Sequence, residues 1–209
     1  MKLSLYYSNR PVGIIYEVFK MSAKNNSKDV LIETASRLFR IKGYYGVGLK
    51  DILEDSGIPK GSLYHYFPKG KEQLAIAAIN HTKEIVINEI QELFVEFEDP
   101  IQAFQKHLDH LSEVIIKSND IGFPIGTIAG ETHSTSESIR ITCQQAFEEW
   151  QAIYMKKLLH SGYDKEHASD LALAVNLMIE GAILLSLTNK SNRPLEVAKK
   201  QITLLLKKD

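Results

Sequence analysis

An all-α fold is predicted by three observations. Apolar residues recur at intervals of three and four over most of the chain, the spacing of one helical face. No stretch of useful length alternates apolar and polar residues as a half-buried strand does. Helix-ending residues punctuate the pattern: Gly43, Gly57, Pro59, Asp99-Pro100, Gly162 and Pro194 fall between periodic segments.

The first helix is expected over residues 28–42, with Val30, Leu31, Thr34, Ala35, Leu38 and Phe39 on one stripe, Ser27 as N-cap and Gly43 as its stop. Tyr44 and Tyr45 follow, placed to pack under the third helix. The stretch GLKDILEDSGIPKGSLYHYF (48–67) then reads as two short helices around a tight turn. Residues 50–56 carry Ile52 and Leu53 inward, and Gly57 ends that helix because glycine enters the left-handed conformation without steric cost. Ile58 turns inward and Pro59 prevents one continuous helix, since it lacks an N–H and disfavours helical geometry at the residue before it. In the helix that follows, residues 60–67, Leu63 and Phe67 lie four apart and share a buried face.

A short helix, a glycine-containing turn and a second helix form the helix-turn-helix pattern, whose second helix enters a DNA groove. Lys60, Gly61, Ser62, Tyr64 and His65 lie on its first turns, where such motifs meet base edges and phosphates. Gly61 permits close backbone approach, Ser62 can bond either a base edge or a phosphate, and the Tyr64 hydroxyl can donate to a phosphate. Gly48, Leu49, Lys50, Tyr66 and Lys71 complete the candidate DNA surface. A helical hairpin with aromatic packing and no DNA role matches the same short signature.

A long helix over 71–97 would join this unit to the rest of the chain, with Leu74, Ala77, Ala78, Ile85, Ile90, Leu93, Phe94 and Phe97 inward. Asp99-Pro100 breaks it, and residues 101–117 continue with Phe104, Leu108, Leu111 and Ile115. Gly122, Pro124, Gly126 and Gly130 predict a broken or kinked helix over 118–134. Helices are expected over 137–161 and 165–187, the latter capped by Asp164, and from Pro194 toward Leu206. The segment 165–187 is apolar over much of its circumference, with Ala172, Ala174, Gly181 and Ala182 allowing close approach of another helix. Together with 194–206 it predicts a two-fold dimer interface, although two core helices of a monomer would share the pattern.

The formal net charge is −1, which argues against a general nucleic-acid coat. Its distribution says more. Residues 27–75 hold eight Lys/Arg against six Asp/Glu, residues 1–26 four against one, and the remainder is net acidic. A basic end on an acidic body suits a chain that meets DNA at one end. The hydrophobic fraction of 44% supports a sizeable core. Cys143 is the only cysteine, so no internal disulfide forms and a reducing, cytoplasmic setting is expected. No uninterrupted run reaches the roughly 18 apolar residues of a membrane span, and no membrane partner is expected. Residues 1–26 read as an N-terminal extension, disordered or untranslated, with translation expected to begin at Met21.

The strings VLIETASRLFRIKGYYGVG, KDILEDSGIPKGSLYHYF and KEQL resemble the N-terminal DNA-binding domain of the TetR family of bacterial repressors, over residues 27–74. The resemblance implies that Tyr64 and Lys71 contact backbone phosphate, and that Lys50, Lys60, Gly61 and Ser62 approach bases or phosphates. Two departures matter. The turn Phe67-Pro68-Lys69-Gly70-Lys71 is one residue longer than the commonest family spacing, which makes Lys71 the least secure contact. Leu53 stands where alanine is more usual, so the two helices are expected to cross slightly farther apart. PKGKEQL, IEGAILL and SLTNK are similar to the LmrA/YxaF-like branch over nearly all the chain after residue 27. That branch implies a homodimer through the last two helices, small drug-like and often planar aromatic effectors, and control of genes for efflux or breakdown of such compounds.

The expected organisation is therefore a three-helix helix-turn-helix DNA-binding domain (27–75) and a helical ligand-binding and dimerisation domain (76–209). Phe104, His107, Leu108, Leu111, Phe123, Glu131, Phe147, Trp150, Tyr154, Met178 and Glu180 are candidates to surround an effector cavity. Glu180 lies in the apolar run NLMIEGAILL, where a carboxylate needs a ligand or a hydrogen-bonding neighbour within the chain. Trp150 is more often core than ligand platform, because large aromatics dominate helical cores.

Enzyme chemistry has little support, and neither a catalytic residue nor a cofactor is expected. His107 and His110 sit three apart and could share a metal with Glu113 or Glu131, but no HExxH or clustered Cys/His motif accompanies them. Neither a phosphate loop nor a nucleophile elbow is present. The expected function is a ligand-responsive repressor, released from palindromic double-stranded operator DNA by a small effector. The alternative is a helical metal-binding module or enzyme whose N-terminal hairpin is only structural.

Overall fold

A computed structural model describes residues 26–117 and 125–207. The N-terminal extension through residue 25, including Met21, and the candidate Phe123 lie outside the described residues. The described residues form helices only: α1 (Ser27–Lys42), α2 (Leu49–Ser56), α3 (Lys60–Tyr66), α4 (Lys71–Glu96), α5 (Pro100–Lys117), α6 (Gly126–Thr132), α7 (Glu137–His160), α8 (Lys165–Asn189) and α9 (Arg193–Leu205).

Helix α1 is capped by Asn26, not by Ser27. The Asn26 carboxamide oxygen accepts from the Lys28 and Asp29 N–H groups at 2.9 and 3.1 Å. The cap position requires extended backbone, which Asn26 has at φ −70°, ψ 164°, whereas Ser27 is already helical. The stripe buries Leu31, Thr34, Ala35, Leu38 and Phe39, with Val30 half-buried at its edge. Gly43 ends the helix at φ 74°.

Helix α4 runs unbroken through residues 75 and 76, so the expected division of the chain falls inside a helix. Its first turns bury Leu74, Ala75, Ala78 and Ile79, and α1 packs along them, with Ser36 Oγ donating to the Ala78 carbonyl at 3.2 Å. Its far end buries Ile90 and Phe94 and packs on α7. Lys157 of α7 donates to the Phe94 carbonyl at 3.0 Å and to the Phe97 carbonyl, satisfying acceptors that a helix C-terminus leaves open. Asp99 then caps α5 by accepting from the Ile101 and Gln102 N–H groups, each at 3.2 Å. The region of 118–134 resolves, within the described residues, into the short α6.

Asp164 caps α8, accepting from the His167 N–H at 3.0 Å, and Pro194 sits in the first turn of α9. By length and composition α8 could cross a membrane, although Asn176, Glu180 and Ser186 interrupt its apolar stretch. Less than half of its apolar stretch is buried within the chain, against α7 and α9. The rest forms an exposed face carrying Leu173, Leu177, Leu184 and Leu185, which Val197 and Leu204 of α9 extend.

Candidate DNA-reading site and the body behind it

The reading unit is positioned from below by apolar contacts. Gly57 adopts φ 69°, ψ 8°, turning the chain out of α2, and Pro59 precedes α3 in extended geometry at φ −61°, ψ 144°. Leu63 and Phe67 are buried beside Ile52, with Leu53 and Ile58 half-buried against the same core. Burying a leucine or phenylalanine side chain contributes about 1.5–3 kcal/mol, enough to fix which face of a seven-residue helix points out.

The opposite face of α3 carries the predicted residues. Lys60, Gly61, Tyr64 and His65 are exposed, and Ser62 and Tyr66 are half-buried. The Lys60 ammonium lies 5.9 Å from the centre of the Tyr64 ring, one turn away. A side chain at position 61 would meet nothing of this chain within 4 Å, so the chain's own packing does not require glycine there. Lys50 projects from α2, paired only with exposed Glu54 at 3.5 Å, a solvated contact worth little. Gly48 donates its N–H to Asp51 Oδ2 at 2.6 Å, and Leu49 is half-buried. Lys71 stands apart: it is half-buried, with its ammonium 4.2 Å from the centre of the Tyr44 ring. Burial lowers its pKa, opposed by Glu131 and Asp51. The predicted residues Lys50, Lys60, Gly61, Tyr64 and His65 are thus exposed, and Lys71 is half-buried against Tyr44.

Among the described residues the candidate effector residues fall into separate groups. Phe104, His107 and Tyr154 pack with Phe94 as an aromatic cluster, with ring centres 5.0–6.3 Å apart. His107 Nε2 and the Tyr154 hydroxyl share a hydrogen bond at 3.1 Å. Burial, with His110 nearby, pushes the His107 pKa down to about 3, so the ring is neutral at physiological pH. Leu108 is buried beside this cluster and Leu111 half-buried. Trp150 is buried 5.5 Å from Phe147, edge to face. Met178 lines a groove between α8 and α9. Glu131 turns the other way, and its carboxylate accepts the Tyr45 N–H at 2.9 Å.

Phe147 and Glu180 alone of that set line a cleft of about 490 Å³ between α6, α7 and α8. Sequence reasoning missed Asn176 on the same wall, although it is the one other polar residue near Glu180 in the run LALAVNLMIEGAILL and sits one turn before it. Cys143 also lines the cleft, and burial pushes its thiol up to about 11, which keeps it protonated and unreactive. His110 lies 3.8 Å from Glu89, and among the described residues no group of three His, Cys, Asp or Glu is placed to hold a metal.

An exposed cationic helix seated on a helix-turn-helix core, with a helical body behind it, defines a helix-turn-helix transcriptional regulator. Comparison with known proteins agrees. Residues 31–78 match the model of the bacterial regulatory proteins of the tetR family, and residues 100–201 match the C-terminal domain of LmrA/YxaF-like transcriptional regulators. The chain is 42% identical over 189 residues to the HTH-type transcriptional regulator YxaF of Bacillus subtilis, covering 90% of this chain and 99% of YxaF. It is 44% identical over 171 residues to LmrA of the same organism, covering 81% and 91%. Among solved structures, a TetR regulator from Legionella pneumophila shares the fold with a TM-score of 0.80 at 24% identity, covering 88% of this chain and 100% of that one. The reduced form of Escherichia coli NemR does so with a TM-score of 0.77 at 21% identity, covering 85% and 95%. The chain belongs to the TetR family of bacterial transcriptional regulators and carries an LmrA/YxaF-like C-terminal domain.

Proposed function

We propose that this regulator is a cytoplasmic homodimeric repressor that binds palindromic operator DNA and releases it when a small apolar effector occupies the body. The observation that carries the reading is the α3 surface: Lys60, Gly61, Tyr64 and His65 exposed, on a helix whose other face is fixed by buried Leu63 and Phe67. Lys50 and Lys60 attract phosphate, and Tyr64 donates its hydroxyl to one.

The exposed leucines of α8, with Val197 and Leu204 of α9, support a second copy as partner. A contiguous apolar face of this kind is unfavourable in water and, on a family member that reads DNA, fits a self-complementary two-fold interface. Two α3 helices would then meet half-sites about one DNA turn apart.

The body and the reading unit are tied at several points. Glu131 holds the Tyr45 N–H, the Tyr45 hydroxyl donates to Thr135 Oγ1 at 2.6 Å, and Ser136 Oγ donates to Glu72 Oε1 at 2.6 Å. An effector that prefers a body conformation in which α4 is displaced would change the separation of the two α3 helices. It acts only through its differential affinity for the two conformations.

The test is a gel-shift with DNA from upstream of the protein's own gene. Tyr64→Phe removes one hydroxyl from an exposed ring, so folding is unchanged and operator affinity falls several-fold. Wild-type affinity in that variant would remove the phosphate contact from the account.

A further inference from the structure

The cleft between α6, α7 and α8 has apolar walls built in part from Ala129, Phe147, Leu173 and Leu177. Two polar groups interrupt them. Asn176 and Glu180 stand one turn apart on α8 and therefore on the same face. Asn176 is only 7% exposed, and its Oδ1 has no hydrogen-bond partner. A buried acceptor left open costs free energy, so native chains seldom keep one without a use.

Glu180, half-buried on the same wall, adds a carboxyl group. Burial pushes its carboxyl up to about 8. Arg140, the cation on the cleft's rim, is already held by Glu137 at 2.7 and 2.8 Å and by Gln144 at 2.8 Å. The other titratable groups facing the cleft are His133 and Glu148 on its rim and Cys143, with Tyr154 behind Glu180. None of these supplies Glu180 with a positive partner inside the cleft.

A pair of acceptors, one of them a carboxyl group, in an apolar wall is matched by a ligand that brings donors and positive charge. An ammonium group has three donors and no acceptor, so it satisfies both. We propose that this cleft binds a lipophilic amine, its ring system against Phe147 and Ala129 and clear of the outward α8 leucines, its ammonium donating to Asn176 Oδ1 and to the Glu180 carboxylate. The cleft lining does not include Phe104, His107 or Tyr154 of the aromatic cluster. The proposal names the effector class for the function proposed above and depends on that reading only for the consequence on DNA.

Isothermal titration calorimetry of the full-length protein tests it with naphthylmethylamine and its neutral counterpart naphthylmethanol. The amine is expected to bind roughly tenfold or more tightly than the alcohol, the size of a charge-assisted hydrogen bond. Repeating the titration at neutral pH in buffers of different ionisation enthalpy is expected to show a proton released on amine binding, because Glu180 must ionise to pair. Glu180→Gln, nearly isosteric, is expected to abolish both the preference and the proton release, and Asn176→Ala to weaken the amine. Equal affinity for amine and alcohol in the wild type, or binding without proton release, would overturn the proposal without need of any variant. Amine binding that leaves operator affinity unchanged would keep the site and sink the effector reading, whereas a protein that retards DNA but ignores the amine would sink the site alone.

Discussion

Two exposed surfaces of this chain have opposite chemistry. The α3 surface presents Lys60, Gly61, Tyr64 and His65 to water, and the α8–α9 surface presents Leu173, Leu177, Leu184, Leu185, Val197 and Leu204. Water solvates the first well, so covering it is reversible and responds to salt. It solvates the second poorly, so covering it is favoured wherever a complementary surface exists. Under the proposed function α3 takes a transient partner of negative charge, and α8 and α9 a lasting apolar one. A helix-turn-helix regulator needs both if two copies are to be held at a fixed separation.

The largest effect is expected from charging the apolar surface. Leu184→Glu with Leu204→Glu places two carboxylates in the proposed interface and leaves the buried faces of α8 and α9 untouched. Analytical ultracentrifugation is expected to show half the wild-type mass, and operator affinity is expected to fall on the order of 100-fold or more, since one α3 replaces two. A monomer that binds DNA as well as the wild type would separate the two surfaces entirely.

Smaller and different in kind is the response of the reading surface. Lys60→Ala is expected to weaken operator binding at every sequence alike, and to reduce the slope of log affinity against log salt by about one for each phosphate no longer neutralised. Fluorescence anisotropy over a salt series measures this. The same series with Lys71→Ala sharpens the comparison, because Lys71 is half-buried with its ammonium over the Tyr44 ring. An unchanged slope there would show that the lengthened 67–71 turn has moved this lysine from DNA to structure.

Much of the reading end was legible from sequence because its signals are local. Gly57 and Pro59 dictate the turn, and the spacing of Leu63 and Phe67 dictates which face is buried, so the outward residues follow. The breaks at Asp99-Pro100, Gly162 and Pro194 were legible for the same reason. The cap of α1 was not, since asparagine and serine are equally good cap residues and only the backbone angles of Asn26 decide between them. The body was legible in its helices and not in its cavities. Glu131 and Tyr45 are 86 residues apart, and no spacing rule joins them. Phe104, His107 and Tyr154 have the composition of a ligand site but close on one another. Asn176 was missed because a lone amide in an apolar helix is conspicuous only once its partner is found to be absent.

Stability against pH probes that contrast within the body. His107 is held neutral with its pKa near 3, below the usual 6.5, so its contribution is present above pH 6.5 and is lost as pH falls toward 3. Glu180 has its pKa raised from 4.5 to about 8, so its burial is tolerated at acid pH and costs stability as pH rises from 4.5 through 8. Chemical denaturation across this range is expected to show declines on both sides. Glu180→Gln is expected to flatten the alkaline side only. The smallest effect is expected from Asn26→Ala, which removes the α1 cap at a cost of about 1 kcal/mol by the same assay.

The central claim, that two α3 helices held at fixed separation read one operator, is tested most directly by spacing. An operator selected from random DNA is compared with the same operator carrying about five extra base pairs at its centre, which turns the half-sites to opposite faces of the duplex. The inserted operator is expected to lose at least 100-fold in affinity, while each half-site alone binds weakly. Equal affinity for the two operators would contradict it.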